Sequence, residues 1–399
     1  MSPSTRAKSE RAVWTFPKPR PEVPLAVLVP IGIAAVDAGS NAIRAGIARV
    51  SSASDIRLTA RERAAVRLGH LAFTHHRLDR PTMARAVEAF RSFRRLIDHY
   101  NVREYRAVAT SAVREARNRD ELIRRIYHET GIRLDVIDSA EEARLVRSAV
   151  LGVLPEGISP RLIIDLGGGS LEVSVMRGSS VESNLTFPLG AVRLMETFRL
   201  NGAFTDEQFE RLLHHVVLKF KTLWPKPGNF SRSAAVACGG NAEALARLAP
   251  GPRVAGLETL NLRLLQEHLW DVLRLDVPGR MKAFGVRRDR AEVIGVATVV
   301  FSALAEWLKL PTLLVPGVGV REGILRDLAL EHFGTTRRRN DEERGLLEQV
   351  RRFAARLHCE QTHAEHVRRL AASLFDQLAA VHHLPSPMRL PLELAALLH

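Results

Sequence analysis

One motif occurs twice in this chain, and it limits the possible folds more than any other feature. The first copy is Asp37-Ala38-Gly39-Ser40-Asn41-Ala42-Ile43-Arg44, and the second is Asp165-Leu166-Gly167-Gly168-Gly169-Ser170-Leu171-Glu172. Each copy joins two apolar runs, which is typical of two buried strands linked by a glycine turn. The two aspartates lie 128 residues apart, a spacing that suits a domain. The pair therefore indicates a duplicated α/β unit.

Apolar periodicity around each motif predicts alternating strands and helices. Strands are expected at residues 33–36, 43–50, 56–68, 105–109 and 134–137, and in the second unit at 162–165, 171–176, 234–237 and 312–315. Helices are expected at residues 84–100, 119–130 and 140–151, then at 193–198, 206–222 and from 321 onward. We therefore predict two domains, at residues 31–146 and 147–333, preceded by a basic disordered tail at residues 1–30.

The composition changes after residue 333. A charged connector is expected at residues 335–344, and the apolar spacing beyond it predicts helices at 346–357 and 363–378. The last residues, Leu397-Leu398-His399, stop within a helical pattern without a capping residue or a polar tail. We therefore expect residues 334–399 to form a truncated all-α piece.

Composition points to a cytoplasmic protein with an anionic partner. The 399 residues are 46% hydrophobic and 26% charged, and Cys238 and Cys359 cannot supply a disulfide framework. The longest apolar candidate for a membrane span, at residues 24–36, is too short, and no signal-peptide cleavage pattern precedes it. The formal charge of +14 favours nucleic acid, an anionic membrane or a phosphate-rich small molecule, unless it only reflects a basic proteome. Without a base-reading motif or an aromatic run, specific binding of nucleic acid is not expected, and neither is a membrane.

The repeated motif has the groups that bind phosphate together with a divalent cation. Glycine lets successive backbone N–H groups point into one concavity, and an aspartate at a strand end can hold a cation against the same phosphate. Two more glycine turns follow strands and open helices, where an anion is favoured: Cys238-Gly239-Gly240-Asn241 and Gly317-Val318-Gly319-Val320-Arg321. Either turn can also be one that merely requires glycine. Gly239, Gly240 and Arg321 are thus candidate phosphate ligands.

Two further helix starts bear polar groups. In Ala109-Thr110-Ser111-Ala112-Val113-Arg114, a hydroxyl can cap the helix, and Arg114 could bind phosphate with two hydrogen bonds. Glu141 and Glu142 lie in the first turn of the following helix, where carboxylates commonly compensate the helix dipole. Either one could instead be a general base if it faces a cleft, and the residues alone leave that choice open.

Taken in order, these stretches resemble the exopolyphosphatase/guanosine pentaphosphate phosphohydrolase (Ppx/GppA) family. The resemblance runs from Asp37 to about Leu330 and adds Pro188-Leu189-Gly190-Ala191-Val192-Arg193 and Gly319-Val320-Arg321-Glu322-Gly323 to the motifs above. It implies an α/β fold of duplicated actin-like (ribonuclease-H-like) domains with an active site between them. It also implies release of the terminal phosphate of inorganic polyphosphate, or of the 5′ γ-phosphate of guanosine pentaphosphate, with Mg²⁺.

The resemblance assigns roles position by position. Glu142 matches the catalytic glutamate, which orients and deprotonates the attacking water. Asp165 and Glu172 match acidic metal-site positions, and Asp37 is expected to contribute a third carboxylate. The phosphate-binding positions are matched by Gly39, Ser40, Asn41, Arg114, Gly167, Gly168, Gly169 and Ser170. The family usually has other residues where Ala140, Leu171 and Asn241 stand, but no acidic position is lost.

The helical tail is similar to the start of the family's HD-type domain, so we expect a partial all-α HD-like domain. His366 and His399 stand where such domains place metal ligands, but no aspartate follows His399, and a second metal site is not expected. The sequence thus predicts a Mg²⁺-dependent exopolyphosphatase that forms a homodimer. A guanosine pentaphosphate phosphohydrolase and a non-catalytic phosphate or nucleotide sensor remain alternatives. A kinase of the actin-like superfamily is disfavoured by the Glu-Glu-Ala-Arg and Gly-Val-Arg-Glu-Gly stretches.

Overall fold

The computed structural model describes residues 30–357, 359–385 and 388–398. The tail predicted at residues 1–30 therefore lies outside the described residues except for Pro30, and so does His399.

The first half of the chain builds a five-stranded sheet with the order β3-β2-β1-β4-β5. Strands β1, β2 and β3 pair antiparallel, whereas β4 and β5 continue the sheet in parallel from β1. The strands are β1 (Ile31–Ala38), β2 (Ile43–Val50), β3 (Ile56–Ala64), β4 (Glu104–Ala109) and β5 (Leu134–Val136). The helices are α1 (Ala72–His75), α2 (Arg80–His99), α3 (Ser111–Glu115), α4 (Arg119–Thr130) and α5 (Ser139–Val153).

The second half repeats this plan in a six-stranded sheet with the order β10-β11-β9-β6-β7-β8. Again three strands pair antiparallel, and the next neighbour, β9, lies parallel to the first strand, β6. The strands are β6 (Leu162–Leu166), β7 (Leu171–Arg177), β8 (Ser180–Phe187), β9 (Ala235–Cys238), β10 (Glu258–Asn261) and β11 (Thr312–Val315). The helices are α6 (Ala191–Phe198), α7 (Asp206–Leu223), α8 (Gly239–Leu248), α9 (Leu262–Glu267), α10 (Leu269–Leu273), α11 (Val277–Phe284) and α12 (Arg288–Leu308). The predicted duplication is confirmed.

Two helices are exchanged between the halves. Helix α5 leaves the first sheet and packs against β6, β7 and β8, whereas α13 (Val320–Arg356) leaves the second sheet and packs against β1, β2 and β4. Both helices share one buried apolar cluster with the facing sides of the two sheets, in which Val108 and Val236 belong to the sheets and Leu145 and Ile324 to the helices. The boundaries predicted at 146/147 and 333/334 fall inside these two helices.

The charged connector predicted at residues 335–344 is wrong, because α13 continues through it as one helix. Arginine and glutamate are good helix formers, so charge without proline does not end a helix. Helices α14 (Gln361–Gln377), α15 (Ala379–His382) and α16 (Arg389–Ala396) follow, and α14 packs against α16. The described tail is helical, as predicted, while its assignment to an HD-type domain stays a prediction.

Helix α12 corrects the expectation that no apolar run reaches membrane-spanning length. It has 21 residues, and its most apolar 18-residue window has a mean hydropathy of 1.6. In the structure 78% of that window is buried, because α12 lies at the centre of the second half, in contact with α6 to α11. Among the described helices it alone has this length and composition, and it serves as a core helix.

Candidate active site

The two copies of the motif face each other across a cleft. Asp37 and Asp165 are the penultimate residues of β1 and β6, while Ser111 follows β4 and Gly239 follows β9. These strand ends meet at the cleft because each sheet repeats the same strand order. The cavity has a volume of about 90 Å³. Its polar lining is formed by Asp37, Gly39, Ser40, Asn41, Arg44, Thr110, Ser111, Glu142, Asp165, Gly167, Gly168, Gly239, Gly240, Asn241 and Arg290.

The glycine loops of the two halves touch. A Cβ atom on Gly168 would lie 2.6 Å from the Cβ of Ser40, and one on Gly169 would lie 2.6 Å from Cζ of Phe73. The hydroxyls of Ser40 and Ser111 are buried and 2.9 Å apart. Only glycine fits where the backbones approach so closely. The two halves are therefore closed on each other at the loops.

Backbone carbonyls of the second loop are bound by N–H groups at the start of α6. Gly167 O accepts from the N–H of Ala191 at 3.0 Å, and Gly168 O accepts from those of Val192 and Arg193, both at 2.9 Å. Within the described chain, no acceptor is found for the N–H groups of Gly168 and Gly169. Of the two, Gly168 lines the cavity, and an unpaired N–H group in that position can bind a phosphate oxygen.

The buried aspartates differ in their partners. Burial raises the pKa of Asp37, but Arg44 and Arg321 oppose the shift. Arg44 is the cross-strand partner of Asp37. Burial also raises the pKa of Asp165 to about 6, with a further increase from Asp37. The cross-strand partner of Asp165 is Glu172, a second carboxylate. In the second half of the molecule, therefore, no arginine stands opposite Asp165 in the way that Arg44 stands opposite Asp37.

Of the two adjacent glutamates, Glu142 faces the cleft. It is 8% exposed and lines the cavity, and burial raises its pKa to about 8, against the effect of Arg114. Glu141 instead binds Arg144 and Arg106, and these hydrogen bonds lower its pKa. The geometry therefore favours Glu142 over Glu141 as the general base.

Arg114, predicted as a phosphate ligand, lies behind the cleft rather than on its wall. Its Nη1 donates to Ile137 O at 2.6 Å and to Glu142 Oε2 at 3.3 Å, and its Nη2 donates to Ser139 Oγ at 3.2 Å. A guanidinium with these partners orients the glutamate and stabilises its ionised form. The sequence could not reveal this contact because it depends on the packing of α3 against the start of α5.

Arg321 is also outside the cleft. Its Nε donates to Glu322 Oε1 at 2.9 Å, and its side chain lines a neighbouring pocket. Three other predicted residues are packed beneath the cleft rather than exposed to it. Ser170 donates to Glu172, both side chains are buried, and Gly169 lies against Ser111.

The metal-site residues Asp37, Asp165 and Glu172 do not form one closed ligand set. Among the described residues, no three His, Cys, Asp or Glu side chains lie close enough together to hold a metal. Burial and the neighbouring Glu142 and Asp165 raise the pKa of Glu172 well above its ordinary value. Mg²⁺ commonly binds one or two carboxylates and completes its shell with water and substrate phosphates. Asp165 and Glu172, together with Glu142, line a small cavity beside the cleft, and this placement fits a cation bound in that way.

Two arginines on the cleft wall were missed as ligands. Arg44 belongs to the repeated motif, and its register opposite Asp37 was the available signal. Arg290 lies in α12, donates to Asn241 Oδ1, and has its pKa lowered to about 9 by burial. The guanidinium groups of Arg44 and Arg290 both approach the backbone of Gly240. Arg290 comes near the repeated motif only when α12 packs in the folded protein, so no neighbouring residue in the sequence marks Arg290 as a ligand.

A larger pocket continues from the cleft through Arg44, Gly240 and Arg290. Its volume is about 460 Å³, and seven arginines line it with two glutamates. The charged lining is Arg44, Arg61, Glu62, Arg63, Glu243, Arg247, Arg287, Arg290 and Arg321. Some of this charge is neutralised, because Arg63 binds Asp289. The remaining excess of arginine favours an extended anion.

Two α/β halves closed over a cleft of glycine amides, buried carboxylates and arginines define an actin-like phosphoanhydride hydrolase. The family model of the Ppx/GppA phosphatase family matches residues 46–332, and the chain belongs to that family. The predicted family, fold and enzyme class are confirmed.

Solved structures agree with this assignment. An exopolyphosphatase-like protein is 25% identical with a TM-score of 0.68, over 75% of this chain and 98% of its own. The Ppx/GppA family member of Aquifex aeolicus is 25% identical with a TM-score of 0.63, over 76% of this chain and 99% of its own. An exopolyphosphatase from Cytophaga hutchinsonii, 22% identical, has the same fold with a TM-score of 0.66, over 75% of this chain and 97% of its own.

Proposed function

We propose that this phosphatase is a Mg²⁺-dependent exopolyphosphatase that releases terminal orthophosphate from inorganic polyphosphate. The observation that carries the proposal is the continuity of the small cleft with the arginine pocket. The cleft has room for one phosphoryl group beside the catalytic carboxylate, and the pocket offers positive charge for the phosphates that follow. A homodimer and a cytoplasmic location remain predictions.

The residues of the cleft divide the work of phosphoryl transfer, which depends mainly on positioning and charge neutralisation. The N–H group of Gly168, on the cleft wall, binds an oxygen of the terminal phosphoryl group. Glu142, in its ionised form, orients water and accepts its proton, and Arg114 favours that ionised form. Arg44 and Arg290 stabilise the charge on the departing chain. Mg²⁺, held by Asp165 and Glu172, would neutralise phosphoanhydride charge.

One observation favours polyphosphate over guanosine pentaphosphate. None of the described residues that line the cleft or the arginine pocket is aromatic. A nucleobase is commonly held by stacking on an aromatic ring, whereas a polyphosphate chain presents only repeated negative charge. The arginine pocket offers positive charge and no aromatic ring, so it suits a polyphosphate chain better than a nucleobase.

The test is orthophosphate release from long-chain polyphosphate and from guanosine pentaphosphate, at equal terminal-phosphate concentration with Mg²⁺. We expect a higher kcat/KM for polyphosphate. A higher kcat/KM for guanosine pentaphosphate would contradict the proposal and make the nucleotide the preferred substrate. Tight binding of both without phosphate release would identify a sensor. Glu141→Gln is the control for Glu142→Gln, because Glu141 lies next to it but outside the cleft.

A further inference from the structure

Arg193 lies in the first turn of α6 and bridges the two halves of the molecule. Its Nε donates to the carbonyl of Gly169 at 2.6 Å, in the phosphate loop of the second half. Its Nη2 donates to Glu115 Oε1 at 2.5 Å, at the end of α3 in the first half. Its Cζ lies 4.3 Å from the ring centroid of Phe73, also in the first half. The side chain is 18% exposed and does not line the cleft.

The contact with Gly169 completes the backbone arrangement of the phosphate loop. The N–H groups at the start of α6 already bind the carbonyls of Gly167 and Gly168, and Arg193 supplies the donor for the third glycine. With all three carbonyls bound by the start of α6, the N–H group of Gly168 stays free for a ligand at the cleft wall. Arg193 therefore fixes the loop in its anion-binding form.

The contacts with Glu115 and Phe73 make that arrangement depend on closure. Both residues belong to the first half, whereas Arg193 and Gly169 belong to the second. The guanidinium is a rigid planar fork, so it can donate to Gly169 and Glu115 at once only when the halves are closed. A lysine has one ammonium group and cannot reproduce this pair of bonds with the ring contact.

We propose that Arg193 is a positioning residue that couples closure of the two halves to the shape of the phosphate loop. The inference rests on the proposed function, in that the loop binds the terminal phosphoryl group. It assigns Arg193 an effect on phosphate affinity and rate without a contact to substrate.

The test uses Arg193→Lys, Glu115→Gln and the double variant. We expect Arg193→Lys to weaken binding of orthophosphate and pyrophosphate, measured by calorimetry, and to lower kcat/KM by about 10- to 100-fold, the usual effect of losing a charge-assisted hydrogen bond. The two substitutions should be coupled, so that the double variant is little worse than Arg193→Lys.

A further variant, Arg193→Ala, removes the guanidinium altogether, and added guanidinium ion should partly restore its activity. Arg274→Lys is the control, because Arg274 also contacts an aromatic ring, that of Trp270, but does so at the end of α10. This variant should keep the wild-type values.

Equal phosphate affinity in wild type and Arg193→Lys, with both folded, would overturn the inference while leaving the proposed function intact. Additive effects of the two single substitutions would also overturn it. A wild-type protein that binds polyphosphate without releasing phosphate would instead refute the proposed function, and the calorimetric comparison would still decide the role of Arg193.

Discussion

Arg44 and Glu172 occupy the same position in the two halves of the molecule. Arg44 is paired across β1 and β2 with Asp37, and Glu172 is paired across β6 and β7 with Asp165. The duplicated motif thus holds a carboxylate beside an arginine in one half and two carboxylates together in the other. Under the proposed function, this asymmetry places the cation in the second half, beside the two carboxylates.

Asp165→Asn should therefore raise the concentration of Mg²⁺ needed for half-maximal activity and lower the maximal rate, because one of two facing carboxylates is lost. Stability without metal should stay equal or rise, since repulsion between buried carboxylates is relieved. A Mg²⁺ titration of activity and a thermal melt without metal measure both effects. An unfolded variant, or one with an unchanged Mg²⁺ requirement, would make Asp165 a structural residue.

Glu142→Gln should lower kcat by about 10²- to 10⁴-fold, the usual effect of losing a general base. Affinity for pyrophosphate should change little, because the amide carries no charge but keeps the shape of the side chain. Steady-state kinetics measures the change in kcat, and calorimetry measures the affinity for pyrophosphate. Glu141→Gln should retain turnover, and if it loses as much as Glu142→Gln the choice between the two glutamates is wrong.

The stability of the metal-free protein should fall as the pH rises from about 5 to 8. The pKa of Glu142 is raised to about 8 in the folded state, so folding retains a proton that the unfolded chain releases. The stabilisation is complete below the ordinary pKa of 4.5 and is lost as the pH rises through 8, with a slope of at most about 1.4 kcal/mol per pH unit for one group. Urea unfolding with a chelator at several pH values measures the slope. Glu142→Gln should make the slope less steep, while the raised pKa values of Asp165 and Glu172 keep part of it; an equal slope in the variant would contradict the assignment.

Gly169→Ala should separate the two halves at the loops. Its Cβ would collide with Ser111 and Phe73, both in the first half. We expect a loss of about 1–3 kcal/mol in stability, as for an overpacked core, and a fall in kcat/KM. Gly202→Ala is the control because open space surrounds that Cβ. Unchanged activity in Gly169→Ala would mean that turnover does not require the closed contact.

Substitutions in the arginine pocket should affect long substrates more than short ones. Arg61→Ala and Arg247→Ala remove positive charge from the pocket but not from the cleft. We expect KM for long-chain polyphosphate to rise several-fold and to depend less steeply on salt, with little change for pyrophosphate. Arg263→Ala is the control, because the side chain of Arg263 is exposed on α9. Equal effects on long-chain polyphosphate and on pyrophosphate would mean that the polyphosphate chain does not bind in the arginine pocket.

Much of the site could be predicted because the motif sets both the strand and the loop at its end. Asp37, Asp165 and the glycines follow from that local pattern. The directions of Arg114 and Arg321 could not be predicted, since a side chain at a helix start can turn either to the cleft or to a neighbouring glutamate. Arg290 is 253 residues from Asp37 along the chain, and only the packing of α12 brings it to the site. The length of α13 could not be predicted from the charged residues at 335–344, because such a run is compatible with either a connector or a continuing helix.

The exchange of α5 and α13 means that neither half can be isolated as an independent folding unit. A fragment ending after β5 would expose Ile33, Ala35 and Val108, which α13 helps to cover from more than two hundred residues away. A fragment beginning at β6 would equally lack the cover that α5 provides. Genetic division of this enzyme should thus yield active protein only when both pieces are produced together and reassemble.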